Sequence, residues 1–427
     1  MKNYLENKKI TNEFVESYTK TTYRIIGDKK HSAIKPCHWL EQRLMTGRPN
    51  RNCYKGVFGI ESHRCLQNTP SLPFCNHQCV FCWRDLETGG LGSEFLVKPD
   101  DPEELVKEMF RHQQDIIKNH LPLRRYIDNY EIMIDILNYM ILNKDPQTIT
   151  SLSKNIHVSK NKIERALNLL KNQRFIYPHD DLRKYEVCQE IQGSINNRDE
   201  IELLINRELT SPNDIMEAHA EALIPNHAAI SLDGEPLLYP KISDLVEEFK
   251  RRKMTTFIVT NGSLPKTIEK LEPLPSQLYV TLPAPNEKIY KKVCRPMIKN
   301  GWENINETLE LLDSLETRTL VRLTAIRDLN INEQYIDDYI KLIEKANPDF
   351  FEIKGFTLQA KALSISERLK SDKEVTSYFP DYDYLENIAS QFEERSNFPL
   401  IYKNKPSRDF LFAVNWDDYK DPKIRKP

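Results

Sequence analysis

No apolar run among the 427 residues reaches the length of a membrane span, and the opening Met1-Lys2-Asn3-Tyr4 does not lead into the apolar core of an export signal. The chain is therefore read as cytoplasmic, with no membrane partner. Without export, cysteines serve as metal ligands or free thiols rather than as disulfides. An excess of one charge is missing too: 61 Lys and Arg face 63 Asp and Glu, for a net charge of −2. That excludes a polycation, so any nucleic-acid contact must come from local basic patches. Glycine is scarce at 12 residues while Lys, Ile and Asn are plentiful, a bias that points to no function.

Cysteine is what the chain concentrates. Six of its eight cysteines (Cys37, Cys53, Cys65, Cys75, Cys79 and Cys82) fall in one short stretch. The last three form a C-x3-C-x2-C run that continues into Trp83-Arg84. Three thiolates so spaced can hold three irons of a cubane cluster and leave the fourth iron free. That iron can take the amino and carboxylate groups of S-adenosylmethionine (SAM). The spacing, with Phe81 before the last Cys, resembles the signature of the radical-SAM superfamily. A zinc site is the bland alternative for a bare run of this kind.

The organisation of the chain suits that reading. Residues 1–36 are polar and basic and read as a solvated arm, with phosphate contact as the lesser alternative. The segments 37–127 and 206–415 read as the main domain. A strand at Ser71–Phe74 is expected to lead into the cysteine loop. Further β-rich runs stand at Ala228–Leu232, Thr256–Thr260, Leu278–Leu282, Thr319–Thr324 and Phe350–Ile353, with helical stretches between them. Strands alternating with helices argue for an α/β fold with a parallel sheet, here a partial (β/α)6 barrel with its site at the strands' C-terminal ends. Phe410–Val414 adds a late strand, and residues 416–427 read as a charged tail. Residues 128–205 read as an inserted α+β module. Helix, short helix, turn, longer helix and a strand pair around Pro178-His179-Asp180-Asp181 resemble a winged helix. Its role is packing or partner contact, or else nucleic-acid reading through Lys160, Lys162 and Arg165.

Polar strand ends carry the remaining chemistry. Gly234 lets backbone approach a ligand, and Glu235 beside it can receive a cationic amine. Radical-SAM proteins carry a Gly-Gly-Glu-like element there, which Gly234-Glu235-Pro236 resembles. Thr260-Asn261-Gly262 ends the next strand as a polar rim suited to ribose or carboxylate, or as an ordinary turn. Cys37, Cys53 and Cys65 are too irregularly spaced for a zinc ribbon. They suggest a second iron–sulfur cluster, or a structural zinc completed by His38 or His63. Lys55, two residues after Cys53, is either a plain surface charge or an amine that forms a Schiff base with a keto acid. The second role requires that desolvation or cationic neighbours lower its pKa. Cys188 and Cys294 lack spacing partners and read as structural thiols.

Several segments together resemble the archaeal 4-demethylwyosine synthases. They are Cys53-Tyr54-Lys55, the run Gly59 to Pro70, Cys79-Val80-Phe81-Cys82-Trp83-Arg84, Ser231 to Pro236, Val259-Thr260-Asn261-Gly262 and Asn347-Pro348-Asp349-Phe350. The resemblance implies two 4Fe–4S clusters, SAM and pyruvate, acting on N1-methylguanosine 3′ of the anticodon in tRNA-Phe. It assigns Cys75, Cys79 and Cys82 to the SAM cluster, and Cys37, Cys53 and Cys65 to the auxiliary one. Lys55 takes the Schiff-base role, and Gly234, Glu235, Thr260 and Asn261 take SAM. A 5′-deoxyadenosyl radical is expected to remove hydrogen from the N-methyl group, and the carbon radical to add to pyruvate. Loss of the pyruvate carboxyl carbon and ring closure follow. An external electron donor such as a flavodoxin or ferredoxin is implied, because nothing in the sequence resembles the donor domain of eukaryotic relatives.

The chain departs from that family at Pro283, where an Asp is usual, and in the stretch after Lys354-Gly355-Phe356. Two other readings stay open. One is a radical-SAM enzyme acting on another RNA base or a small molecule. The other is a winged-helix nucleic-acid-binding protein with the barrel as a redox or SAM sensor.

Overall fold

Runs rich in β-branched and aromatic residues alternate with helices that bury one apolar stripe, and the strands join in one mixed sheet. The computed structural model describes residues 10–20, 22–46, 53–84, 86, 92–120, 123–172, 175–181, 183–188 and 211–415. Its first half comprises α1 (Asn12–Thr19), β1 (Arg24–Ile26), β2 (Ser32–Ile34), α2 (His38–Thr46), β3 (Cys65–Thr69), α3 (Pro102–His120), α4 (Arg124–Asn143), β4 (Gln147–Thr148), α5 (Ile149–Ile156), α6 (Lys160–Asn172), β5 (Ile176–Pro178) and β6 (Lys184–Val187). Then come α7 (Pro212–Ala222), β7 (His227–Ile230), α8 (Ile242–Arg251), β8 (Thr255–Thr260), α9 (Pro265–Glu269), β9 (Gln277–Thr281), α10 (Glu287–Cys294) and α11 (Gly301–Leu311). The chain continues through β10 (Arg318–Ala325), α12 (Ile336–Ala346), β11 (Phe350–Gly355), α13 (Ile365–Leu369), α14 (Tyr382–Arg395), β12 (Leu400–Asn404) and β13 (Asp409–Ala413).

The main sheet runs β1-β2-β3-β7-β8-β9-β10-β11-β13-β12. Strands β3, β7, β8, β9, β10 and β11 are parallel in that order, as the six-strand partial barrel requires. Antiparallel hairpins flank them on both sides. Strand side chains alternate between faces. Ile258, Val280, Val321, Leu323 and Ile353 join the core that includes helix residues Leu245, Val246 and Phe249. Phe257, Tyr279, Leu320 and Phe350 face inward with Phe58 and Ile60. Helix α8 buries Ile242, Leu245, Val246 and Phe249, a helical stripe on a period of 3.6. Truncating Phe249 to Ala would cost about 3–5 kcal/mol.

Three expectations need correction. The strand before the cysteine loop is Cys65–Thr69, not Ser71–Phe74. Pro70 and Pro73 remove ladder donors, and Ser71–Phe74 forms a turn closed by Phe74 N–H to the Ser71 carbonyl at 2.9 Å. Residues 10–36 are not a solvated arm. Ile10, Phe14, Tyr18 and Tyr23 pack with Ala33 and Leu72, and β1–β2 extends the sheet. The boundary placed at 128 falls inside α4, which starts at Arg124. Residues 1–9, 189–205 and 416–427, parts of the expected arm, insert and tail, lie outside the described residues.

The insert follows β3 and α3 and precedes α7. Helices α4, α5 and α6 pack on a three-stranded sheet ordered β4-β6-β5. Thr148 caps α5 by accepting the Ser151 N–H at 3.0 Å. Met133, Leu137, Leu152, Ile163, Leu167 and Ile176 form a core separate from that of the barrel.

Candidate active site

Beyond β3 the chain turns at Pro70 and carries Cys75, Cys79 and Cys82 over the C-terminal ends of the parallel strands. The loop is fixed by partners distant in sequence. Gln78 N–H donates to the Cys294 carbonyl at 3.0 Å, and Val80 N–H donates to Val293 at 2.9 Å. Asn76 Nδ2 donates to Ser263 Oγ at 2.7 Å, and Asn261 Nδ2 donates to Asn76 Oδ1 at 2.7 Å. Buried Asp233 accepts from Trp83 Nε1 and from the Tyr23 hydroxyl, the latter at 2.9 Å.

Gly234 adopts φ +80° where backbone meets backbone: a Cβ there would lie 2.0 Å from the Ser71 carbonyl oxygen. Only glycine fits. Glu235 is buried, and both of its oxygens are engaged. Oε1 accepts from Thr260 Oγ1 at 2.7 Å and from Leu237 N–H at 3.1 Å; Oε2 accepts from Asn261 N–H at 2.8 Å. Burial pushes its pKa up to about 7, against these donors. Glu235 therefore ties β7 to the Thr260-Asn261 rim, which ends 4.0 Å from Cys75 Sγ at Asn261 Nδ2.

Burial raises the thiol pKa to about 12 at Cys75 and about 11 at Cys82. Cys79 is raised well above its usual value, first by its hydrogen bond with Cys294 and then by burial. Metal-free, these thiols keep their protons at neutral pH, and ligation must displace them. Arg84 is buried beside Cys75 and Cys82, and its Nη1 has no hydrogen-bond partner among the described residues. A fixed cation facing three thiols suits a net negative thiolate-bound group.

The upstream cysteines also converge. Cys37 precedes α2, Cys53 opens the 3-10 turn Tyr54–Phe58, and Cys65 starts β3. All three thiol pKa values are raised by burial, with further contributions from one another: Cys37 feels Cys65, Cys53 feels Cys37, and Cys65 feels Cys53. Among the described residues, neither cysteine triple brings all three sulfurs within 4.8 Å of one another. His63 turns to Glu221, with Nε2 2.7 Å from Oε2.

Lys55 is no surface charge; it is 3% exposed. Its Nζ lies 5.1 Å from the Phe257 ring centroid, 5.4 Å from that of Tyr54 and 5.9 Å from that of Tyr279. Burial lowers its pKa, but Tyr54, Cys65 and Cys53 outweigh burial, with Arg322 opposing them, and the net shift is upward. The Schiff-base role is conditional on a lowered pKa, and the direction in the metal-free chain is the opposite.

Two neighbours of the cysteine loop had no signal in the sequence. Cys294, taken as an isolated structural thiol, groups with Cys79 and His77, their ligand atoms within 4.8 Å of one another. Arg368, in the stretch that departs from the family pattern, donates to carbonyls of the cysteine loop. Neither carries a motif, since only the tertiary fold brings them to the loop.

A cysteine loop held over the ends of parallel strands is the arrangement of radical-SAM enzymes, and the description "Radical SAM superfamily" matches residues 202–343. The S-adenosyl-L-methionine-dependent tRNA 4-demethylwyosine synthase of Pyrococcus abyssi is 36% identical over 354 residues, covering 82% of this chain and 75% of its own length. The mouse enzyme of that name is 29% identical over 407 residues, covering 93% of this chain and 42% of its own. The chain belongs to the tRNA 4-demethylwyosine synthase family. A solved structure of TYW1 with a lysine-pyruvate adduct bound matches with a TM-score of 0.62 at 27% identity, over 96% of this chain and 97% of that one. A crystal structure of archaeal TYW1, 24% identical, shares the fold with a TM-score of 0.58 over 96% and 99%.

Proposed function

We propose that this chain condenses pyruvate with N1-methylguanosine, 3′ of the anticodon in tRNA-Phe, to form 4-demethylwyosine. The observation that carries this reading is the burial of Lys55 among Cys37, Cys53 and Cys65. A lysine removed from water beside three convergent thiols is placed to be an amine nucleophile. Its neutral amine attacks the keto carbon of pyruvate, water leaves, and the imine fixes the three-carbon unit. The lysine–pyruvate adduct of the related TYW1 structure supports the same role.

Cys75, Cys79 and Cys82 hold the 4Fe–4S cluster that binds SAM, and Cys37, Cys53 and Cys65 hold a second. When bound, the first cluster supplies the electron that cleaves SAM. Gly234 brings backbone close to the cofactor, Thr260 and Asn261 form its polar rim, and Glu235 holds that rim rigid. Electrons come from an external donor such as a flavodoxin or ferredoxin. The insert is a winged-helix-like module whose exposed α6 residues Lys160, Lys162 and Arg165 contact tRNA backbone. Among the described residues no helix is long and apolar enough to cross a membrane.

The test is anaerobic reconstitution with iron and sulfide, then incubation with SAM, dithionite, pyruvate and N1-methylguanosine tRNA. Nucleoside mass spectrometry should find a tricyclic base that disappears in Lys55→Ala. SAM cleavage without that base would overturn the substrate assignment.

A further inference from the structure

Arg322 stands on the inner face of β10, directly across from Glu352 of β11, and its Nε donates to Glu352 Oε2 at 2.5 Å. It is 8% exposed. The guanidinium carbon sits 4.5 Å from the Tyr54 ring centroid and 4.7 Å from that of Tyr279. These same two rings wall Lys55. Yet Arg322 Nη2 and the Tyr279 hydroxyl are both buried with no hydrogen-bond partner among the described residues. Leaving such donors unpaired costs about 1–3 kcal/mol each. Two of them beside a buried lysine mark a place built for a ligand's acceptors.

Charge identifies the ligand class. Lys354 Nζ lies 4.4 Å from the Tyr54 centroid and is matched by Asp409 at 2.7 Å, as Arg322 is matched by Glu352. Both of these cations already hold a carboxylate, yet a guanidinium N–H and a hydroxyl beside them stay unpaired. An anionic oxygen pair satisfies both orphan donors, since a charged acceptor makes the stronger bond to a guanidinium.

We propose that Arg322 Nη2 and the Tyr279 hydroxyl bind the carboxylate of the 2-oxo acid whose keto carbon Lys55 captures, and so restrict the site to 2-oxo acids with a free carboxylate. The proposal rests on the imine reading of Lys55. In a 2-oxo acid the keto and carboxyl carbons are bonded neighbours, which is why the amine and the guanidinium must share one aromatic enclosure. Neutral ketones and aldehydes leave both donors unpaired and are discriminated against.

The test traps the imine in the full-length, reconstituted protein with cyanoborohydride and reads modification of Lys55 by peptide mass spectrometry. Pyruvate and the neutral ester methyl pyruvate are titrated into wild type, Arg322→Gln and Tyr279→Phe. A charge-assisted bond of about 1.5–3 kcal/mol predicts a rise of about 10–100-fold in the half-saturating pyruvate concentration for Arg322→Gln. Tyr279→Phe removes one neutral bond and should raise it about 2–10-fold. The methyl pyruvate curve should move in neither variant. A pyruvate curve that stays put, or ester and acid curves that shift together, overturns the carboxylate assignment while leaving Lys55 as the imine-forming amine. Wild type that traps no pyruvate at Lys55 overturns both readings. Tyr279→Phe loses a single oxygen, so it decides the matter even if Arg322→Gln fails to fold.

Discussion

Arg368 donates through Nη1 to the carbonyl oxygen of Cys82 at 2.6 Å, although 286 residues of chain separate the two. The same guanidinium reaches Val80 at 3.2 Å through Nη1 and Arg84 at 3.1 Å through Nη2. With Cys79 at 3.5 Å from Nη1, one side chain at the end of α13 thus pins four carbonyls of the cysteine loop.

Arg368→Ala should release that loop without unfolding the barrel. Each lost bond from a charged donor is worth about 1.5–3 kcal/mol. The expected outcome is a lower iron content after anaerobic reconstitution and a lowered unfolding midpoint, with the far-ultraviolet circular dichroism of the folded barrel unchanged. Wild-type iron retention at equal protein concentration would show that the loop holds its shape unaided.

Gly234→Ala should be among the most damaging single-atom additions in the chain. A Cβ there meets the Ser71 carbonyl carbon at 2.9 Å as well as its oxygen, so backbone must move. The left-handed φ adds about 1–3 kcal/mol for a non-glycine residue. Thermal unfolding should fall by several degrees, and SAM affinity, read by equilibrium dialysis, should fall with it.

His31 gives the fold an acid-sensitive point. The ring is fully buried, with Nδ1 2.6 Å from the Pro70 carbonyl and Nε2 accepting the Asp100 N–H at 2.9 Å. Burial lowers its pKa below the ordinary 6.5, with Asp100 pulling the other way. The unfolded chain therefore takes up this proton before the folded one does. The stability His31 contributes is present above pH 6.5 and is lost as pH falls through the folded value. His31→Gln should cost about 1–3 kcal/mol at neutral pH. It should also weaken the pH dependence of the urea midpoint between neutral and mildly acidic buffer. An unchanged slope would place the acid sensitivity elsewhere.

The insert's basic helix makes a separate prediction. Exchanging Lys160, Lys162 and Arg165 for Gln should weaken tRNA binding and leave imine trapping at Lys55 intact. The slope of log affinity against log salt should become shallower by about 0.7–0.9 for each residue that touches a phosphate. A slope equal to wild type would remove the insert from the tRNA path.

What could be read in the sequence was what is local. The C-x3-C-x2-C spacing, the strand–helix alternation and the Gly234-Glu235 strand end are each complete within a few residues. The misreadings have one origin. Residues 1–36 read as polar and basic, and the partners that bury Phe14, Tyr18 and Tyr23, Ala33 and Leu72, come later in the chain. Ser71–Phe74 carries strand-like apolar residues, but Pro70 and Pro73 deny it a ladder. The sign of the Lys55 shift depends on thiols and rings that enclose it only in three dimensions. Arg368 and Cys294 had no motif to announce them.

The crossover between β3 and β7 sets the order in which the site can form. The cysteines leave the ribosome early, but apart from Gly92, whose carbonyl accepts from Cys75 N–H, the groups that fix their loop (Asp233, Asn261, Ser263, Val293 and finally Arg368) follow the insert. During synthesis the thiols therefore precede every one of these anchors. A cysteine loop reached by metal before these segments are made would lack the partners that give it its shape.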